Sequence, residues 1–295
     1  MVIVIKDDFI EYLKYQKHYS DHTITSYNFD IDRYNDYLKK NNINYLKVEY
    51  DDISEFLNYL GECNLSNTTT SRTISALRSY YNFLMKKGII KSNPFNLVSN
   101  KRKQRKLPNY LTFNEFDKML KSSGKGILGI RNVSIMEMMV ASGVRVSELV
   151  NIKMNDINYL DKSIRILGKG NKMRIVYYGD YAKEGLNNYL SVRKTLLNNN
   201  ESDYLYLNNH GKKLTTKGVE EIIKKILFVS GIEKNVTPHV LRHTFATMMI
   251  NEGANVKVVQ ELLGHSSLDT TSIYTHITND RLRSVYLNAH PRARK

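Results

Sequence analysis

The sequence predicts a mainly α protein with a small β-sheet, divided into two domains. Three observations carry that expectation. At roughly 150 residues per domain, 295 residues suggest two units, each long enough to bury a core. Apolar residues recur at helical spacing over most of the chain, and only one stretch alternates as strands do. Residues 101–106 read Lys-Arg-Lys-Gln-Arg-Lys and are followed by Leu107-Pro108, a like-charge run that suits an exposed connection. The expected division is residues 1–100, a basic linker over 101–108, a second domain over 109–280 and a tail over 281–295.

In the first domain, Phe9, Ile10 and Leu13 lie at helical spacing, with Asp7 and Asp8 at the favourable N-terminal end of that helix. Ser20-Asp21-His22-Thr23 offers N-caps for a helix carrying Ile24, Tyr27, Ile31, Tyr34 and Leu38. Residues 51–60 form a shorter amphipathic piece. Ser66-Asn67-Thr68 opens a long helix with Ile74, Leu77, Tyr81 and Leu84 on one face, ending at Lys86-Lys87-Gly88. Its other face carries Thr70, Ser71, Arg72, Ser75, Arg78 and Ser79. Small hydroxyls beside Arg72 and Arg78 would let a phosphate backbone approach and leave both arginines free to reach it; an ordinary solvated face fits the pattern as well.

In the second domain, Thr112-Phe-Asn-Glu115 has the form of a helix start, and residues 130–142 form an apolar helix broken by Gly143. Residues 163–178 hold two alternating runs around Gly168-Lys-Gly-Asn-Lys172, which predicts a β-hairpin. Helical patterns return at 183–197, 216–230, 239–252 and 255–263.

Composition narrows the partners. Hydrophobic residues make up 41% and charged residues 25%, which excludes a largely disordered chain. Net charge is +15, with 17 basic against 12 acidic residues before Pro108 and 27 against 17 from there on. Both parts are basic, so the partner is a polyanion, nucleic acid or an anionic membrane. Cys63 is the single cysteine, which rules out a disulfide framework and a cysteine-based zinc site. No apolar run approaches the roughly 18 residues of a membrane span, and the start does not suit a signal peptide. The expected location is the cytoplasm.

Four clusters carry candidate chemistry. Arg145 follows the helix break at Gly143, and Glu148 lies three residues on, where it could hold the arginine; a structural pair is the plainer alternative. Lys169 and Lys172 sit at the hairpin tip, as they would in an ordinary surface turn. His239 and Arg242 share a face at a helix start, a natural anion site. His239 and His243 are four apart, but no glutamate lies between them as in a zinc protease helix, so no metal is expected. His265 and Tyr274 follow in Leu263-Gly-His265 and Ile273-Tyr-Thr-His276. Together, two arginines, a lysine, histidines and a tyrosine suffice to cleave a phosphodiester without metal. Arginines neutralise oxygens whose charge grows in the transition state, the tyrosine attacks, and a lysine or histidine protonates the leaving oxygen.

In order and spacing these clusters resemble the tyrosine recombinase (integrase) family, whose pattern is Arg, Lys, His-x-x-Arg, His or Trp, and Tyr. The matching positions are Arg145, Lys169, His239 with Arg242, His265 and Tyr274. Ser142-Gly-Val-Arg-Val-Ser-Glu-Leu149 and His239-Val-Leu-Arg-His-Thr-Phe-Ala-Thr247 look like its signature boxes. Residues 71–84 and Asn93-Pro94 look like the last helix of its core-binding domain. Within the family the chain is most similar to the Xer recombinases, which resolve chromosome dimers at dif sites; the ending His290-Pro-Arg-Ala293 fits. Arg131-Asn132 departs from their usual Arg-Asp and lies outside the catalytic set, so it reads as structural or supporting.

The resemblance implies a helical SAM-like core-binding domain and a mixed α/β catalytic domain, forming a C-shaped clamp on double-stranded DNA. Arg72, Arg78, Lys101, Arg102, Lys103, Arg105, Lys106 and Lys172 would contact DNA. Tyr274 would form a 3′-phosphotyrosyl bond, Lys169 would act as general acid, Arg145, Arg242 and His265 would stabilise the phosphorane, and His239 would assist proton transfer. No cofactor is implied, neither ATP nor metal. A Holliday junction would form on two recombination sites within a homo-tetramer, or a hetero-tetramer with a paralogue, and a DNA translocase is a candidate activator. The tail, with Leu282, Val285, Tyr286 and Leu287 as a stripe, would dock on a neighbouring protomer, the alternative being its own domain. A phage or transposon integrase is the competing role, and a non-catalytic DNA-binding protein the competing class.

Overall fold

The computed structural model describes residues 2–98, 110–168, 173–198, 200–264 and 279–294. The chain divides into two compact units, Met1–Arg105 and Lys106–Lys295, so the division falls within the basic run. The run itself, with Lys101, Arg102, Lys103, Arg105 and Lys106, lies outside the described residues.

The first unit is helical: α1 (Val2–Glu11), which runs into a π-helical turn at Tyr12–Gln16, α2 (Asp21–Lys40), α3 (Tyr50–Glu62), α4 (Asn67–Lys86) and a 3-10 turn at Pro94–Leu97. The caps are those that the local chemistry favours. Ser20 Oγ accepts from the Thr23 amide at 3.3 Å, and Ser66 Oγ from the Thr69 amide at 3.2 Å, each satisfying an N–H that the first helical turn leaves open. One expectation fails here: α1 starts at Val2, so Asp7 and Asp8 lie beyond its first turn and gain nothing from the helix dipole. Cys63 is exposed, at the C-terminus of α3.

Aromatic rings fill the core of this unit. Tyr34 meets Phe56, Tyr81 and Phe95 edge-on, and its hydroxyl lies 3.1 Å from that of Tyr81, which in turn donates to the Tyr45 carbonyl at 2.9 Å. A tyrosine-rich core thus satisfies part of its polar content internally.

The second unit contains α5 (Phe113–Lys121), α6 (Gly126–Ser142), a single turn α7 (Val146–Leu149), a three-stranded antiparallel sheet, and then α8 (Asp180–Leu197), α9 (Thr216–Ser230), α10 (Pro238–Asn251), α11 (Val256–Leu263) and α12 (Asn279–Ala289). The strands β1 (Ile157–Asn158), β2 (Ser163–Leu167) and β3 (Met173–Tyr177) lie in the order β1-β2-β3. The expected hairpin is β2–β3, paired from Ser163↔Tyr177 to Leu167↔Met173; β1 is too short to show in the sequence pattern. Helix α6 is buried along most of its length and packs on α8, with Ile135, Met136, Met138, Met139 and Leu186 in the main core. The helix ends at Gly143, whose φ of +61° reverses the chain; a Cβ there would lie 2.6 Å from the Phe245 ring. No helix among the described residues is long and apolar enough to cross a membrane.

The described residues of the tail pack against the second unit. Leu282 and Tyr286 join Phe245, Met249, Val258 and Leu262 in one apolar cluster. His290 stacks between Phe245 and Tyr286, with ring centroids 5.4 and 5.2 Å away. Arg292 binds the buried Glu137, with Nε donating to Oε2 at 3.0 Å, and reaches Asp117 at 3.2 Å. These contacts cover the apolar face of α10 and α11 and set a positive charge against Glu137.

Candidate active site

Three arginines from different segments gather around one carboxylate, and two of them bind it. Arg145 is the residue before α7 and Glu148 its third residue, so a single helical turn brings both together. The Arg145 amide donates to Glu148 Oε2 and its guanidinium to Oε1, each at 2.8 Å. Arg174, on β3, takes the same carboxylate from the other side, NH1 to Oε1 and NH2 to Oε2, both at 2.8 Å. The second arm of Arg145 donates to the Gly264 carbonyl at the end of α11, at 3.2 Å. Arg242, on α10, donates to the Gly143 carbonyl at 2.7 Å and the Leu263 carbonyl at 2.5 Å. These oxygens belong to the C-terminal ends of α6 and α11, where carbonyls lack helical partners and the dipole favours cations.

The electrostatics show what is missing. Burial alone would raise the Glu148 pKa, yet hydrogen bonds from Arg174 and the Arg145 backbone, with the Arg174 charge, hold it down at about 2. Arg242 is pushed down to about 10, first by burial and then by the charge of Arg145; Arg174 acts in the same direction, against the pull of Glu148. Arg242 therefore stays charged at neutral pH at an energetic cost. Arg145 and Arg174 bind Glu148 and Arg242 feels its charge, so three guanidiniums face one carboxylate. Such an excess of fixed positive charge, partly withdrawn from water, suits an anion with several oxygens. The Arg145 side chain keeps 34% of its surface exposed, so this charge is within reach of a ligand.

The other expected residues fall into three groups. His239 is exposed in the first turn of α10, three residues before Arg242. Lys169, Lys172, His265 and Tyr274 lie outside the described residues. Arg72 and Arg78 are not left free as the small-residue pattern suggested. Arg72 makes a bidentate pair with the fully buried Asp30, at 2.8 and 3.0 Å. Arg78 donates to the Phe95 and Val98 carbonyls, at 3.1 and 2.7 Å. Both brace their own unit. Arg131 and Asn132 tie α6 to its surroundings: Asn132 Oδ1 accepts from Arg131 and its Nδ2 donates to the Ser123 carbonyl at 3.1 Å. An aspartate could not make that second bond. No cluster of His, Cys, Asp and Glu among the described residues could hold a metal ion.

Sequence reasoning missed Arg174. A signal existed: Arg174 lies two residues before the buried Val176, on the strand face that turns inward, where a charge demands a partner.

Comparison with known proteins matches residues 109–281 to the phage integrase family and residues 7–88 to the phage integrase N-terminal SAM-like domain. Among curated relatives, the tyrosine recombinase XerC of Anoxybacillus flavithermus is 41% identical, over 97% of this chain and 97% of that protein. The tyrosine recombinase XerD of Oceanobacillus iheyensis is 38% identical, over 97% and 98%. Among solved structures, the site-specific recombinase XerH bound to its difH substrate before cleavage is 26% identical, with a TM-score of 0.64, over 90% of this chain and 78% of that one.

Proposed function

The chain belongs to the phage integrase family and is a tyrosine recombinase, an enzyme that cleaves and rejoins DNA; on that footing we propose that it is an Xer-type recombinase that resolves chromosome dimers at a dif-like site. The observation that carries the chemical part of this reading is the surplus of positive charge at Arg145, Arg174 and Arg242 around the single carboxylate of Glu148. Full-length likeness to XerC and XerD proteins supports the biological part.

In the proposed reaction, the Tyr274 hydroxyl attacks the scissile phosphorus. The phosphorus–O5′ bond breaks, a 3′-phosphotyrosyl bond forms, and Lys169 gives its proton to the departing 5′-oxygen. Arg145, Arg242 and His265 hold the non-bridging oxygens while their charge rises, and His239 assists proton transfer. The 5′-hydroxyl of the partner duplex then attacks the phosphotyrosine and releases Tyr274. One ester is exchanged for another, so ATP supplies nothing. Two such rounds pass through a Holliday junction and require four protomers on two duplexes, all of this chain or shared with a paralogue. Residues 101–106 serve to hold the duplex, and a DNA translocase would set the order of strand exchange.

A plasmid carrying two directly repeated dif-like sites tests the proposal. The protein should divide it into two circles in EDTA, and Tyr274→Phe should leave it intact. Intact plasmid with the native protein, at any such site and with any paralogue added, contradicts the assignment. Loss of activity on chelation alone would instead favour a metal at His239 and His243.

A further inference from the structure

Arg174 does not belong to the residue pattern that the sequence singles out, yet it makes the most complete contact with Glu148. Both guanidinium nitrogens meet both carboxylate oxygens at 2.8 Å, whereas the Arg145 side chain reaches one oxygen only. The Arg174 side chain lies across Gly264, where a Cβ would sit 2.9 Å from its Cδ and 3.0 Å from its Nε. Gly264 has a φ of +66°, closes α11, and offers the carbonyl that Arg145 uses. Arg174 is thus packed on the same residue that fixes the second arm of Arg145. It also stands on the strand entered directly from the stretch that carries Lys169, one residue after the Leu167↔Met173 pair. The Nε of Arg174 is buried and meets no acceptor among the described residues, an unfavourable burial that packing alone does not require.

We infer that Arg174 is a positioning residue for phosphodiester cleavage: it locks Glu148 and Gly264 in the arrangement that aims Arg145, and it ties the lysine-bearing hairpin to that arrangement. This inference rests on the recombinase reading above. Without Arg174, Glu148 would keep one side-chain partner and be free to swing, and β3 would lose its anchor beside α7. The orientation of Arg145 would relax, while the surfaces that hold a duplex remain. A change in position of about 1 Å at a reacting centre costs on the order of 10²-fold in rate. Binding and chemistry should therefore separate. Lysine at this position supplies charge but not the planar fork, so it restores part of the effect.

The experiment compares native protein, Arg174→Met and Arg174→Lys on a nicked suicide duplex containing a dif-like site. Affinity is read by fluorescence anisotropy, and the single-turnover rate of covalent adduct formation at saturating protein. Circular dichroism melting establishes that each variant is folded. The expected result for Arg174→Met is an affinity within roughly threefold of native and an adduct rate lower by about 10²-fold, with Arg174→Lys recovering to within about tenfold of native. An adduct rate equal to native in Arg174→Met overturns the inference. So does a loss of rate that merely tracks a loss of affinity. If Arg174→Met does not fold, Arg174→Lys decides: a rate about tenfold slower at native affinity supports the inference, and a native rate overturns it. Absence of any adduct from the native protein overturns the recombinase reading and this inference together.

Discussion

Two arginine–carboxylate clusters in the second unit use the same chemistry toward opposite ends. At Glu148, two arginines bind one carboxylate with a third, Arg242, beside them, and the carboxylate pKa falls to about 2. At Glu137, one arginine, Arg292, serves two carboxylates, Glu137 and Asp117. There burial outweighs the arginine and the Glu137 pKa is raised. The first cluster carries more positive charge than the described residues around it match. The second carries no positive surplus, since one arginine of the tail faces two carboxylates. The difference teaches that a buried arginine says little about function until the charges around it are counted: a positive surplus marks a place for an anionic ligand, and its absence marks a structural latch.

The largest expected effect separates the two directly. Arg242→Gln should lower the rate of DNA cleavage by roughly 10²–10³-fold, as removal of a donor to a developing oxyanion does, with the fold preserved in melting curves. Arg292→Met should do the reverse. It strands Glu137 in the interior and should lower unfolding stability by about 3–5 kcal/mol in urea titrations, with duplex affinity unchanged within roughly twofold. A cleavage defect in Arg292→Met comparable to that of Arg242→Gln would break the comparison.

Acid titration should sharpen it. His290, in the tail, is buried, and its pKa is pushed down from 6.5 to about 4, mainly by burial. A depressed folded pKa means that the unfolded chain binds the proton first, so stability is full above 6.5 and declines as pH falls toward 4. Glu148 is depressed from 4.5 to about 2, so its contribution is full above 4.5 and is lost as pH falls toward 2. Each amounts to roughly 3 kcal/mol when fully lost. The tail region should therefore weaken at a pH at which the arginine cluster is intact. Tail amides should lose protection from hydrogen exchange below pH about 6, and those of α7 should hold until well below pH 4.5. Simultaneous loss would contradict the account.

The smallest effect concerns the basic run. Replacing Lys101, Arg102, Lys103, Arg105 and Lys106 with glutamine should reduce the slope of log affinity against log salt by about 0.9 for each phosphate no longer neutralised, while the cleavage rate of bound DNA stays near native. An unchanged slope would make the run a hinge.

Much of this fold was legible because local chemistry dictated it. Ser20, Ser66 and Thr112 cap helices with their own side chains, Gly143 ends one, and residues 216–230 form α9 as their spacing suggests. The Arg145–Glu148 pair was legible for the same reason, three residues on one turn. Long-range partners were not. Arg174 finds Glu148 across 26 residues, Arg72 finds Asp30 across 42, and Arg292 finds Glu137 across 155. Periodicity shows which face a residue occupies but not what that face meets. It therefore did not show that Arg72 and Arg78 on α4 find partners within their own unit.

The central claim is that the arginine surplus belongs to a phosphate attacked by Tyr274. A suicide duplex with a dif-like site, incubated with the native protein in EDTA and digested for mass spectrometry, tests it most directly. The account predicts a DNA adduct on the peptide containing Tyr274, absent from Tyr274→Phe and strongly reduced in Arg242→Gln. An adduct on another residue, or equal adduct in all three proteins, would contradict it.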